Sequence, residues 1–100
     1  MAKRVIWSED AYLDKVEIFS YWNHRNKSNV YSRKLNRLFR DTIKSILETP
    51  SVGRKTNIEN VKRIIARDYF IIYEENDTTL IILRIWDSRQ DPNELKYKVD

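Results

Sequence analysis

The 100-residue sequence predicts an α+β domain made of an N-terminal strand, an α-helical hairpin and then a three-stranded antiparallel sheet, in the order β-α-α-β-β-β. Two observations predict it. Through two stretches of the first half, apolar residues recur at three- and four-residue steps, the period of a helix with one face on a core. The last third, from Asp68 to Pro92, instead holds two nearly continuous apolar runs joined by a polar turn, the pattern of a buried hairpin. The length suits one domain over residues 1–100 with one modest core.

The elements follow in order. Arg4 to Trp7 mixes β-branched and aromatic residues over too short a span for a helix and reads as a strand. Ser8 can cap the amides of a following helix, and Glu9 and Asp10 place negative charge at its positive end. That helix is expected from Glu9 to about His24, with Ala11, Tyr12, Val16, Ile18, Phe19 and Trp22 as its core-facing stripe. Arg25 to Ser28 breaks the pattern, and Ser28 or Asn29 can cap a second helix running to about Thr49, before Pro50. Two helices joined so tightly form an antiparallel hairpin. On the second, Tyr31, Leu35, Leu38, Phe39, Thr42, Ile43 and Ile46 share one face, and Arg33, Arg37, Arg40 and Lys44 line the opposite one.

Pro50 to Asn57 holds the only glycine, Gly53, and reads as a loop with freedom to move. Strands are expected at Val61–Arg67, Asp68–Glu74 and Thr79–Trp86, the last pair joined through Glu75 to Thr78. Both strands of this hairpin are apolar at nearly every position, so they are expected to be central and covered on both faces.

Composition narrows the chemistry. There is no cysteine, which excludes disulfides, thiolate metal sites and a cysteine nucleophile. No window approaches the roughly 20 apolar residues of a membrane helix, and the start lacks a secretory signal, so a soluble cytoplasmic protein is expected. The positive charge is regional: nine Lys or Arg stand against two acids between Arg25 and Lys55, whereas Glu9 to Glu17 carries four acids and one Lys. Such a region attracts phosphates, anionic lipid or an acidic protein, and charge alone does not choose among them. On the second helix the basic stripe reads first as a solvated face and second as a contact for an acidic partner or nucleic acid.

Alternation along the strands groups Arg63 with Arg67, and Leu80, Ile82, Arg84 and Trp86 together. Arg63, Arg67, Arg84 and Arg89 either converge on an anionic ligand or pair with Asp68, Asp87 and Asp91 as structural salt bridges. His24, the only imidazole, is expected at a helix end on the surface. Tyr97, flanked by Lys96 and Lys98, is the better proton-transfer candidate, although its segment is expected to fray. There is no phosphate loop, nucleophile elbow or metal-ligand spacing, and no cofactor or small-molecule substrate is expected. What remains open is metal-free RNA cleavage, in which placed cations stabilise charge on phosphorus while the 2′-hydroxyl attacks.

The order of elements, the PSVGRKT loop, the DYFIIYEE strand and the ending IILRIWDSRQDP resemble the RelE/ParE superfamily of bacterial toxins over nearly the whole chain. The resemblance implies a growth-inhibiting toxin of a type II toxin-antitoxin system, associated with plasmid stabilisation and neutralised by an acidic or amphipathic antitoxin segment. It also implies one of two targets: mRNA on the ribosome for RelE-like members, DNA gyrase for ParE-like ones. In the nuclease branch a cation follows the tyrosine of the third strand, and here Phe70 follows Tyr69. Arg89 matches the arginine after the last strand, Lys62 and Arg63 the basic residues of the second, and Tyr97 the C-terminal aromatic. The resemblance therefore favours gyrase, with Arg63, Arg84, Arg89 and Tyr97, assisted by Lys62, as the catalytic set of the nuclease alternative. A further alternative is a non-toxic basic module that binds nucleic acid. Trp22, Tyr31 or an apolar sheet edge is expected to receive the antitoxin.

Overall fold

The computed structural model describes residues 3–99. A five-stranded sheet in the order β1-β5-β4-β3-β2 carries a pair of helices on one face. Strand β1 is Arg4–Trp7, helix α1 Glu9–Asn26, helix α2 Val30–Glu48, and β2, β3, β4 and β5 are Arg54–Lys55, Val61–Ala66, Tyr69–Glu75 and Thr79–Asp87. The expected three-stranded antiparallel unit is β3-β4-β5. To it are added β1, parallel to β5, and the two-residue β2, antiparallel to β3.

Helix α1 starts where its cap predicts. The Ser8 side chain accepts a hydrogen bond from the Ala11 amide at 3.0 Å and donates to the Leu83 carbonyl at 2.9 Å, so one hydroxyl caps the helix and holds it to β5. At the hairpin bend Lys27 takes up the left-handed conformation, φ 51°, and its amide closes on the Asn23 carbonyl. The Ser28 hydroxyl, rather than Asn29, accepts from Val30 at the start of α2.

The larger core lies between helices and sheet. Leu35, Phe39, Ile43 and Ile46 of α2 and Ala11 of α1 meet Ala66, Tyr69, Ile71, Tyr73, Leu80, Ile82 and Ile85. Phe39 stacks with Phe19 and meets Tyr69 edge-on, and the Trp22 indole N–H donates to the Tyr69 hydroxyl at 2.9 Å. Trp22 and Tyr31, expected as docking groups, thus spend much of their surface inside the protein, 4.7 Å apart. Tyr12 and Val16 are corrected in the other direction, being 54% and 43% exposed. Each residue turns a helix by about 100°, so Tyr12 stands a quarter-turn off the Ala11–Ile18–Trp22 line that rests on the sheet.

The far face of the sheet is also covered, as the unbroken apolar runs require. Val61, Ile72 and Leu95 form a second cluster with Ile58, Leu83, Trp86 and Tyr97 packed on it. The C-terminal segment that covers it is pinned rather than frayed: Asn57 and Lys98 exchange hydrogen bonds, and Val99 bridges to Thr56. The Pro50–Asn57 loop is corrected as well. It contains a 3-10 turn at Pro50–Val52 and strand β2, and the buried Tyr73 hydroxyl donates to the Pro50 carbonyl and accepts from the Gly53 amide, at 3.0 and 3.1 Å.

Among the described residues no helix is long and apolar enough to cross a membrane.

Candidate functional site

The end of β5 decides where the candidate residues go. Tyr73 pairs with Ile82 and Ile72 with Arg84, so Leu83 is an extra, unpaired residue and β5 bulges there. Before the bulge Leu80 and Ile82 face the helices; after it Ile85 does so. Arg84 and Trp86 are thereby turned to the far face, which corrects the expected row of Leu80, Ile82, Arg84 and Trp86.

On that far face, register places Arg63, Ile72 and Arg84 in one row across three strands, so the two arginine backbones are about 10 Å apart. Phe70 and Trp86 are cross-strand partners beside them. The Arg63 guanidinium lies over the Phe70 ring, 4.1 Å from its centre, and burial together with neighbouring Arg54 lowers its pKa. Tyr97 packs against the same cluster and is close enough to Arg84 to influence its charge. Lys62 pairs with Tyr73 in register and so points to the opposite face from Arg63.

Arg84 does not stay over the sheet. β1 ends at Trp7, which leaves the edge of β5 open beyond Ile82, and the Arg84 side chain meets Asp14 of α1 there. Its Nε and one terminal nitrogen donate to the two Asp14 oxygens at 2.7 and 3.1 Å, and the Ile85 amide donates to the same carboxylate at 3.0 Å. This pairing raises the Arg84 pKa further. The expected salt bridges of Arg84 with Asp68, Asp87 or Asp91 are corrected: the partner is Asp14. No spacing rule connects a helix residue with a strand seventy positions later, and its place in the acidic run of α1 is the only hint in the sequence.

Between α1 and this open edge lies a cleft of about 400 Å³, lined by Glu17, Ile18 and Tyr21 of α1, by Tyr69, and by Arg84 through Asp87, Arg89 and Gln90. Arg89 donates to both Asp87 oxygens at 2.9 and 2.8 Å. That contact holds the Asp87 carboxyl below its usual pKa and raises that of Arg89. Burial pushes the Tyr69 phenol up, and the hydrogen bond its oxygen accepts from Trp22 acts against that shift without reversing it.

The four arginines therefore do not meet at one point. Arg63 and Tyr97 belong to the far face, Arg84 and Arg89 line the cleft, and Arg67 occupies the β3–β4 turn at φ 58° and lines a groove with Tyr31, Lys34, Leu35 and Leu38 of α2. His24 is exposed in the last turn of α1.

This architecture and these residues coincide with a family model for the ParE toxin of type II toxin-antitoxin systems (parDE), which matches residues 5–92. The chain belongs to the ParE toxin family. A solved structure of the chromosomal ParDE toxin-antitoxin system from P. aeruginosa is similar in fold, with a TM-score of 0.73 at 14% sequence identity, covering 86% of this chain and 96% of that one. No curated protein sequence matches the chain. The matched region, residues 5–92, runs from within β1 through β5 and includes the bulge at Leu83 and the Asp14–Arg84 contact.

Proposed function

We propose that this ParE-family chain is a growth-inhibiting toxin that acts in the cytoplasm on DNA gyrase and is silenced by a cognate antitoxin. One observation carries the choice of gyrase over mRNA: Arg84, a candidate cation of the nuclease alternative, is bound through two nitrogens to Asp14. Metal-free RNA cleavage needs cations free to take up charge developing on phosphorus, and an arginine already matched by a carboxylate offers little of that. Phe70 adds to the argument, since the far face carries a ring where the nuclease branch carries a cation. For the antitoxin, the flank of α1 with Tyr12, Leu13 and Val16 and the edge strand β1 with Val5 and Ile6 expose apolar surface suited to a helix or an added strand.

Purified chain added in excess to gyrase, with supercoiling of a relaxed plasmid as readout, tests this reading. Inhibition that disappears on adding the antitoxin is the expected result. Unchanged supercoiling would overturn it, and new mRNA 5′ ends within translated frames after induction would establish the nuclease. One observation favours that second reading: Arg63, on its ring, has no carboxylate within 4 Å among the described residues. In that case Arg63, Tyr97 and Arg89 are the groups to replace, Arg89 because its pair with Asp87 is more exposed than that of Arg84 with Asp14 and opens to solvent more readily, and Arg89→Ala is expected to abolish cleavage in a folded protein.

A further inference from the structure

The basic stripe of α2 belongs to neither core cluster. Arg33, Arg37, Arg40 and Lys44 are all exposed, on the side opposite the buried Leu35, Phe39, Ile43 and Ile46. Among the described residues none of the four has a carboxylate within 4 Å. The row is about 16 Å long at 1.5 Å per residue. Arg25 and Lys27 at the hairpin bend add charge beyond its Arg33 end, and the acids of the helix are limited to Asp41 and Glu48.

We propose that this face of α2 docks on the phosphate backbone of duplex DNA. The chemistry of the face selects the occupant. A protein partner needs apolar or aromatic anchors at the centre of its contact, and here the only exposed apolar residues, Val30 and Leu47, stand at the two ends of the helix. Single-stranded nucleic acid is held largely by stacking on aromatic rings, and the row contains none. A lipid surface takes up the apolar face of a helix, which α2 has already buried in the core. A duplex backbone requires none of these. It asks for a line of cations, and over about 16 Å of its axis it presents roughly nine charges. The choice of DNA over double-stranded RNA rests on the gyrase reading, because the substrate of gyrase is duplex DNA; a toxin gripping that duplex through α2 would be held where gyrase works.

The test contains no gyrase, so its outcome is independent of that enzyme's inhibition. Binding of the purified chain to a fluorescein-labelled 20-base-pair duplex is followed by anisotropy from 50 to 300 mM KCl. The comparison is the variant Arg33→Gln/Arg37→Gln/Arg40→Gln/Lys44→Gln, whose glutamines preserve helix propensity and whose fold is checked by circular dichroism. The wild-type chain is expected to bind at 50 mM KCl with a steep salt dependence. In the variant the slope of log K against log[KCl] should fall by up to about 3.6, at roughly 0.9 for each of the four phosphates no longer neutralised, with affinity at least 100-fold weaker. An Arg54→Gln/Lys55→Gln variant should bind as wild type does. No duplex binding at 50 mM, equal slopes for wild type and the fourfold variant, or tighter binding to a poly-glutamate peptide than to the duplex would each overturn the proposal.

Discussion

Replacing Gly53 by alanine is a sharp test of how the loop before β2 is held. The backbone at Gly53 is extended, φ −77°, so conformational freedom is not the reason for glycine. The reason is space. A Cβ there would fall on the Tyr73 hydroxyl and within 2.9 Å of two ring carbons. Tyr73 has no surface exposed and is packed between α2 and the neighbouring strands, so the ring cannot swing aside. The loop has to lift, and both hydrogen bonds of the Tyr73 hydroxyl lengthen or break. Two such bonds contribute about 2 kcal/mol, and the overpacking adds about 1 kcal/mol or more. Gly53→Ala should therefore cost roughly 2–4 kcal/mol, a large share of the 5–15 kcal/mol typical of a domain. Tyr73→Phe loses the hydrogen bonds without the clash and should cost about 1–2 kcal/mol. In the Tyr73→Phe background the alanine should cost less, because the atom nearest its Cβ is gone. Urea unfolding of the four proteins measures all three quantities. If Gly53→Ala unfolds within about 0.5 kcal/mol of wild type, Tyr73 does not hold the loop.

Two further outcomes follow from the cleft. Asp14→Ala leaves the Arg84 guanidinium and the Ile85 amide without their shared acceptor; allowing for Arg84 being about one third exposed, it should cost roughly 2 kcal/mol in urea unfolding, and a loss no greater than that of an ordinary surface substitution would show the pair to be ornamental. The Asp87 carboxyl is held low mainly by its hydrogen bond from Arg89, so the folded state binds its proton less readily than the unfolded one. The stabilisation this contributes is present above the ordinary value of 3.8 and is lost as pH falls through the folded value, so Asp87→Asn should flatten the acid limb of melting temperature against pH below about 4, and parallel curves for the two proteins would contradict it.

Much of the fold is legible in local pattern, because the signals are strong and short in range. Ser8 announces α1 through capping chemistry, the period of Leu35, Phe39, Ile43 and Ile46 orients α2, and the unbroken apolar runs of β4 and β5 require cover on two faces. What escapes such reading is contact between residues distant in the chain. Nothing near Arg54 and Lys55 reads as a strand; they pair because β3 offers an open edge. Tyr12 and Val16 fit the apolar period of α1 yet lie off the line that meets the sheet. The candidate site is the least legible part. Simple alternation places Arg84 with Leu80 and Ile82, and Asp14 can be matched to it only once α1 is seen against the open edge of β5.

The extra residue in β5 bears on how roles pass between relatives. At 14% identity, functional residues of the last strand are transferred by lining up short strings such as LRIWD, and such a string specifies a position in the chain, not a side of the sheet. A family member whose last strand keeps the counterpart of Leu83 but alternates regularly through it, with no bulge, would present its aligned arginine on the side of Leu80 and Ile82, toward the helices, while this chain turns Arg84 to the far side and then around the edge to Asp14. Identical letters would sit in unlike surroundings. Comparing toxins of this family at that arginine therefore calls for matching strand pairings first and residues second.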